Sequence, residues 1–247
     1  MKKVLFVFCF FLLSLVSCYR FSSSVLEPSS MSSLVRETAI VLGSHNNYQP
    51  SCAGVFISPD EIITANHCVI ELFPVEISSS SGETAIFLIR SNESPVGREI
   101  RVVNYAQYWD DPDYNTYTIF NVVAADEVRD LALLRTEEVG YFHFPYATIR
   151  RGEFPPLGEP VVAIGHPDAQ PYTITTGIIS SRPVRTPDDV ILIRPSSPIF
   201  FGNSGGPLFD GNCRLLGIAH TMRREVTHLG QFISYLDVIE FLEENPR

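Results

Sequence analysis

The amino-acid sequence predicts an all-β fold of antiparallel strands, arranged as sandwiches or barrels. Apolar stretches of four to nine residues, rich in β-branched and aromatic side chains, recur along the chain. Glycine, proline, aspartate, asparagine or serine lies beside each stretch, which is typical of short strands joined by turns. Only one segment, close to the C-terminus, has the apolar spacing of a helix.

The elements follow in chain order. In the first half, strands are predicted at residues 38–42, 53–57, 61–64, 84–90, 99–105 and 131–135. Residues 136–160 contain four prolines and are interpreted as a connection between two halves. In the second half, strands are predicted at residues 161–164, 172–180, 190–194, 213–219 and 231–235. The helix is predicted over residues 236–244, with Leu236, Ile239 and Phe241 or Leu242 on one apolar face.

Composition and charge restrict the function classes. Hydrophobic residues make up 45% of the 247 residues, which is enough to build a globular core. The chain has 18 Lys and Arg against 28 Asp and Glu, a formal net charge of −10. Because nucleic-acid binding depends on concentrated positive charge, this balance argues against a nucleic-acid partner. We expect no cofactor and no metal. The sequence does not specify an oligomeric state.

The N-terminus is typical of an export signal. Lys2 and Lys3 precede an apolar run of ten residues, Val4–Leu13, which is too short to span a bilayer. Residues 1–17 are therefore predicted to be a signal peptide. Leu15-Val16-Ser17-Cys18 resembles a bacterial lipobox, so we expect lipidation of Cys18; the alternative is an ordinary signal peptide cut nearby.

The serine-rich residues 18–35 are predicted to form a polar tether between this anchor and a domain of residues 36–247. The expected location is the cell envelope, either as a membrane-anchored lipoprotein or as a secreted protein.

Export also favours a disulfide, since disulfides persist in oxidising compartments. Cys52 and Cys68 bracket two apolar stretches joined by a Ser-Pro-Asp turn, and a hairpin there would bring the two thiols together. Closing a loop of this length contributes about 3 kcal/mol. A zinc site from Cys52, His67 and Cys68 is the alternative, but adjacent His67 and Cys68 are poorly spaced as ligands. Cys213 would be the unpaired thiol.

The stretch FFGNSGGPLFDG, residues 200–211, surrounds Ser204 with glycines. It fits a tight turn, the nucleophile elbow of α/β-hydrolases, or a serine-protease loop. The elbow requires a helix directly after the serine, and glycines followed by Pro207 and a turn start a helix poorly. The best acid and base candidates also precede the serine, which is the wrong order for that fold.

Three segments decide between the remaining readings. TANHC, DLALL and GNSGGP resemble the catalytic motifs of the chymotrypsin-like serine peptidases, in that family's order His, Asp, Ser. AIGHPDAQPYTITTGIIS, residues 163–180, is similar to the corresponding region of the HtrA-type bacterial branch. The resemblance covers residues 36–245 and only the protease domain. It implies two antiparallel six-stranded β-barrels, at about 36–140 and 155–247, with a short C-terminal helix.

The resemblance implies a role for each motif residue. His67 would be the general base, Asp130 its orienting carboxylate, and Ser204 the nucleophile. The backbone N–H groups of Gly202 and Ser204 would form the oxyanion hole. Asp126 is a weaker alternative to Asp130, because it does not directly precede the apolar strand.

The substrate pocket is predicted to involve Pro198, Ile199, Phe200, Ala219 and His220. No carboxylate occurs among the first three, so a small or apolar residue is expected before the scissile bond. His220 is expected either to hydrogen-bond Asp130 or to tilt into the pocket. His166 replaces the asparagine usual in that motif, and we expect a structural role for it. Residues 108–118 are predicted to be a loop near the cleft rim.

The sequence thus predicts an exported serine endopeptidase acting on proteins or peptides, held at the membrane by its N-terminal lipid. The alternative is a catalytically silent protease fold that serves as a binding protein at the cell surface. An esterase is a third, weaker possibility, because the same triad cleaves esters.

Overall fold

The computed structural model describes residues 28–42, 52–70, 72–78, 84–90, 93–113, 115–138, 144–222 and 230–247. The signal peptide 1–17, Cys18 and the first part of the tether lie outside the described residues. Within the described part, no helix has the length and apolar character needed to cross a membrane.

The first half of the chain forms eight strands: β1 (Thr38–Leu42), β2 (Cys52–Ser58), β3 (Glu61–Ala65), β4 (Leu72–Ser78), β5 (Thr84–Arg90), β6 (Glu99–Asn104), β7 (Thr118–Asp126) and β8 (Leu131–Arg135). Six of them close into an antiparallel barrel in the order β1-β2-β3-β8-β7-β6, while β4 and β5 pair only with each other in a separate antiparallel sheet. The predicted closed barrel is confirmed.

The second half also forms eight strands: β9 (Thr148–Ile149), β10 (Pro160–Gly165), β11 (Thr173–Ile178), β12 (Val184–Arg185), β13 (Ile191–Ile193), β14 (Pro207–Asp210), β15 (Arg214–Met222) and β16 (Gly230–Ser234). They make one sheet in the order β11-β10-β14-β15-β16-β13-β12, with β9 parallel to β15. An isolated bridge between Ile179 and Pro195 joins the ends of β11 and β13. That bridge brings six of the eight strands into a ring, as the resemblance implies.

Alternate residues of the first-barrel strands enter two different cores. On β8, Ala132 and Leu134 pack inside the barrel, whereas Leu131 and Leu133 pack in a core shared with the second half. Successive strand side chains point to opposite faces, so a strand covered on both faces becomes apolar at nearly every position. This explains the apolar runs of β1 and β8, and it packs the two halves against each other.

Three helices complete the fold: α1 (Pro28–Arg36), α2 (Tyr105–Asp110) and α3 (Tyr235–Glu244). Ser234 is the N-cap of helix α3, and its side chain accepts the backbone N–H of Leu236 at 3.1 Å. Helix α3 confirms the predicted C-terminal helix. Helix α2 has a capping box formed by Asn104 and Gln107. It includes residues 108–110, so the loop predicted over 108–118 begins later than expected.

Helix α1 corrects the predicted tether, which was drawn to residue 35. Its residues Leu34 and Val35 are buried in the shared core. The Thr38 hydroxyl donates to the Leu34 carbonyl at 3.1 Å, which connects the helix to β1. The sequence did not indicate this helix, because its serines are more typical of turns. Its stability comes from the burial of two apolar side chains.

Candidate active site

The site is built on the β2–β3 hairpin. Strand β3 runs directly into a one-turn 3₁₀ helix, Asn66–Cys68, that carries His67. The predicted disulfide between Cys52 and Cys68 is present and ties this turn back to the start of β2. His67 is therefore held between a buried strand and a covalent cross-link.

Asp130 lies in the turn between β7 and β8 and contacts His67 twice. Its Oδ1 accepts the backbone N–H of His67 at 2.9 Å, and its Oδ2 lies 2.7 Å from the His67 Nδ1. The Asp130 carbonyl also accepts the N–H of Asn66 at 3.0 Å. Asp130 has φ of 54°, a left-handed conformation that costs energy in a residue with a side chain. These bonds hold the carboxylate against the imidazole in spite of that cost.

His220 is a second imidazole on the same carboxylate. Its Nδ1 lies 2.7 Å from the Asp130 Oδ2, the oxygen that also contacts His67. In the pairing of β15 with β16, Ala219 is opposite Phe232 and Thr221 is opposite Gln231, so His220 is the extra residue of a β-bulge. A bulge redirects the side chain it carries. Of the two expectations for His220, the structure gives the contact with Asp130.

The Asp130 carboxylate is ionised over a wide pH range. Burial alone would raise its pKa, but hydrogen bonds from His220 and His67, together with the charges of these rings, lower the pKa to about 2. An ionised carboxylate only accepts hydrogen bonds, so each Nδ1 must carry a hydrogen. This fixes the tautomer of His67 in which Nδ1 carries the hydrogen and Nε2 can take a proton.

Ser204 lies in a tight loop pressed between the two halves. The Ala53 N–H donates to the Ser204 carbonyl at 2.8 Å, and the Gly205 N–H donates to the Ala219 carbonyl at 2.8 Å. Gly205 has φ of 78°, and a Cβ there would collide with the Thr64 Oγ1 and the Ala53 carbonyl oxygen. Only glycine fits this position. The close approach of Gly205 to Ala53 and Thr64 places Ser204 at the end of the hairpin that carries His67.

The backbone N–H groups around Ser204 differ in whether they have an acceptor among the described residues. The N–H groups of Asn203, Gly205 and Gly206 all donate to carbonyls, whereas those of Gly202 and Ser204 donate to none within the described residues. Gly202 has φ of 99°, and a Cβ there would collide with the His166 carbonyl oxygen. The Ser204 hydroxyl makes no hydrogen bond to any described residue, His67 included. A hydroxyl rotates freely about its Cβ, and such bonds often tighten only with substrate present.

The predicted pocket residues separate into two groups. Ile199 and Ala219 are buried in the core of the second half, and the Ile199 side chain lies over the Cα of Gly230. The Pro198 carbonyl accepts the Thr175 hydroxyl at 2.8 Å. Phe200 is 42% exposed and Phe201 is 72% exposed, so both lie at the surface beside Gly202.

His166 packs against the loop that contains Gly202. It is fully buried, its Nδ1 accepts the Tyr172 N–H at 2.9 Å, and its Nε2 lies 3.1 Å from the Ala39 carbonyl. The backbone N–H of His166 also donates to the Gly202 carbonyl at 3.3 Å. Burial lowers the pKa of His166 to about 4, so the ring is neutral at physiological pH. This contact with the Gly202 loop was not evident in the sequence; the signal was histidine in place of the motif's asparagine.

The sulfurs of Cys52 and Cys68 and a ring nitrogen of His67 lie within 4.8 Å of one another, the set considered for zinc. Both cysteines are in the disulfide and have no thiolate to offer. The geometry therefore does not support the zinc alternative.

A family model for the trypsin-like peptidase domain matches residues 52–218, which contain His67, Asp130 and Ser204. The chain belongs to this family.

Proteins named as serine proteases resemble the chain over shorter stretches. The "Probable periplasmic serine endoprotease DegP-like" of Hahella chejuensis is 36% identical over 99 residues, 39% of this chain and 20% of that protein. The mitochondrial serine protease HTRA2 of Bos taurus is 38% identical over 120 residues, 45% of this chain and 25% of that protein. The matched region thus spans about a quarter or less of these relatives.

Solved structures agree with the fold over most of the chain. The serine endoprotease of Yersinia pestis matches with a TM-score of 0.60 and 21% identity, over 88% of this chain and 67% of that one. The Rv3671c protease of M. tuberculosis, in an inactive form, matches with a TM-score of 0.62 and 18% identity, over 89% of this chain and 93% of that one. Similarity at this level of identity establishes the two-barrel fold.

Proposed function

We propose that this trypsin-like peptidase domain is a serine endopeptidase in which Ser204 is the nucleophile, His67 the general base and Asp130 the orienting carboxylate. The observation that carries the proposal is the double contact of Asp130 with His67, through the backbone N–H at 2.9 Å and Nδ1 at 2.7 Å. These contacts leave Nε2 of His67 to take the Ser204 proton and return it to the leaving amine.

In the proposed reaction, the Ser204 Oγ attacks the carbonyl carbon of the scissile bond while its proton moves to His67. Negative charge then develops on the carbonyl oxygen. The N–H groups of Gly202 and Ser204, which have no acceptor among the described residues, are the donors we assign to that oxygen. The protonated His67 next gives its proton to the amine as the bond breaks, and water releases the acyl group by the reverse sequence.

The pocket supports cleavage after small or apolar residues. The Ile199 side chain is apolar and lies against Gly230. Neither Ile199 nor its neighbours Pro198 and Phe200 carries a charge to pair with a basic substrate side chain. We therefore propose protein or peptide substrates with a small or apolar residue before the scissile bond.

We further propose that the protein is exported and acylated at Cys18, which lies outside the described residues. The support is the apolar run followed by the Leu15–Cys18 motif, together with the word periplasmic in the names of two relatives. The mass of the mature N-terminal peptide tests this: an acylated Cys18 is expected, and an unmodified peptide starting elsewhere would contradict it.

Covalent labelling with a fluorophosphonate tests the catalytic proposal. The probe reacts with an activated serine, so we expect labelling at Ser204 in the full chain and none in Ser204→Ala or His67→Ala. Ser180→Ala, an exposed serine on another loop, is the matched control and should label normally. If the wild-type protein folds but takes no label, the catalytically silent binding protein is the correct reading. Peptide-library cleavage, with ester substrates run in parallel, then separates a peptidase from an esterase.

A further inference from the structure

Two imidazoles meet on one oxygen of Asp130. The Nδ1 atoms of His67 and His220 each lie 2.7 Å from Oδ2, while Oδ1 is occupied by the His67 backbone N–H. The two rings come from different halves of the fold, one from the turn after β3 and the other from the bulge in β15. The proposed reaction needs only the first ring, so the second has no role in it.

The two rings are similarly accessible to protons from solvent. The side chains of His67 and His220 are 38% and 30% exposed, whereas that of Asp130 is 11% exposed. Each ring already donates Nδ1–H to the carboxylate, so an added proton must go to Nε2. A single buried negative charge can then stabilise one imidazolium well, but a second imidazolium on the same oxygen meets a like charge a few ångströms away.

Within the described part of the chain, Asp130 is the one charged group that contacts the two rings. Among the described residues, the hydrogen bonds and ion pairs of the two rings run to Asp130 only. The other titratable or charged side chains on β15, on the elements that contact it and on the segments flanking Asp130 are Glu61, Asp126, Glu127, Arg129, Arg135, Asp210, Arg214, Tyr235, Asp237, Glu240, Glu243 and Glu244. Most of these have partners of their own, such as Glu244 for Arg129 and Arg214 for Asp210.

We propose that His220 is a positioning residue that competes with His67 for one proton at the shared carboxylate oxygen, so that the enzyme keeps a neutral general base to lower pH than a single imidazole would allow. The inference rests on the proposed function of His67. When the pair holds one proton, the molecules that carry it on His220 retain a neutral His67. Because the second proton is disfavoured, the pair takes up its two protons in separate steps.

Nuclear magnetic resonance tests the coupling in a protein that keeps both rings. In Ser204→Ala, with histidines labelled in the side chain, each ring should titrate in two steps, and both Nδ1–H resonances should disappear in a Ser204→Ala, Asp130→Asn double variant. Two independent single-step titrations would overturn the proposal. Because this measurement needs no activity, it separates failure of the inference from failure of the proposed function.

Kinetics test the consequence. When the rate of fluorophosphonate labelling is plotted against pH, we expect the acid limb of His220→Gln to lie about one pH unit above that of the wild type. At a given pH on this limb, the variant should label roughly tenfold more slowly. Glutamine keeps a side-chain N–H donor for Asp130 but cannot be protonated. Asp189→Asn, which removes an exposed charge paired with Arg185, is the matched control and should follow the wild-type profile. His220→Ser is a second variant should the glutamine protein fail to fold.

The outcomes divide cleanly. Superimposable wild-type and His220→Gln profiles would reduce His220 to a neutral donor and overturn the proposal. Complete loss of labelling at every pH in folded His220→Gln would also overturn it, because His220 would then be as indispensable as His67. A displaced acid limb with a similar alkaline rate supports it.

Discussion

Ala53 and Ser204 are joined by a backbone hydrogen bond of 2.8 Å that crosses from the first barrel to the second. Ala53 follows Cys52, whose disulfide partner Cys68 follows His67. The loop of the proposed nucleophile and the turn of the proposed base are therefore fastened to the same strand. Changes to this connection should affect stability and labelling together.

Gly205→Ala is expected to reduce both the stability of the protein and its labelling by a fluorophosphonate. The residue has φ of 78°, and the added methyl group would overlap Thr64 and Ala53. We expect a loss of about 2–5 kcal/mol in the free energy of unfolding, from strain and overpacking combined, with loss of fluorophosphonate labelling. Gly152→Ala is the control, since its φ is 95° but open space surrounds it. It should cost about 1–2 kcal/mol and leave labelling intact. Equal effects of the two substitutions in urea unfolding would show that the close contact is unimportant.

Asp130→Asn should slow labelling and peptide cleavage by about 10³–10⁴-fold, because an amide no longer holds His67 in the required tautomer or stabilises its protonated form. Asp126→Asn is the matched control. Asp126 pairs with Arg129 and accepts its backbone N–H, whereas both described imidazoles of the site contact Asp130. Its activity should stay close to wild type. A larger effect at Asp126 than at Asp130 in the same assay would reverse their assignment.

Reduction of the Cys52–Cys68 disulfide should lower the free energy of unfolding by about 3 kcal/mol, since it closes a loop with a sequence separation of 16. It should also slow labelling, because the bond fixes the turn that carries His67. Urea unfolding with and without dithiothreitol gives the difference. Cys213→Ser is the control for the unpaired thiol and should respond to reductant like the wild type. An equal free energy of unfolding with and without dithiothreitol would argue against the cross-link.

His166 should make the protein sensitive to acid. Its pKa is lowered to about 4 by burial, against about 6.5 in an unfolded chain, so the unfolded state binds the proton more tightly. Its contribution to stability is complete above pH 6.5 and falls by about 2–3 kcal/mol as the pH drops to 4. His166→Asn removes this loss, and its free energy of unfolding should depend less on pH between 7 and 4.5.

Glu37 acts in the opposite direction and must be accounted for. Burial raises its pKa to about 6, so it adds stability as the pH falls below that value. Wild type and His166→Asn share Glu37, and the difference between them isolates the histidine. A stability difference that is the same at pH 7 and pH 4.5 would show that His166 is not the acid-sensitive group.

Local patterns were sufficient for much of the fold. The hairpin bracketed by Cys52 and Cys68 was predictable because its turn, its two apolar strands and its cysteines are close together in sequence. Strand β8 and helix α3 were equally clear. Strand β7 was harder to recognise, because its buried positions Thr118, Phe120, Val122 and Ala124 include a polar and a small residue. Helix α1 depends on two buried side chains, which composition alone does not reveal.

The sequence by itself determined the strand-rich architecture, the disulfide pairing and the motif residues, since each follows from residues close together in the chain or from motifs in a fixed order. Only the tertiary structure decided where His220 lies, because a β-bulge sets the direction of that ring and a bulge depends on the register between β15 and β16. The same holds for the contact between His166 and the Gly202 loop. Distant segments meet there through packing, and packing is a property of the assembled fold.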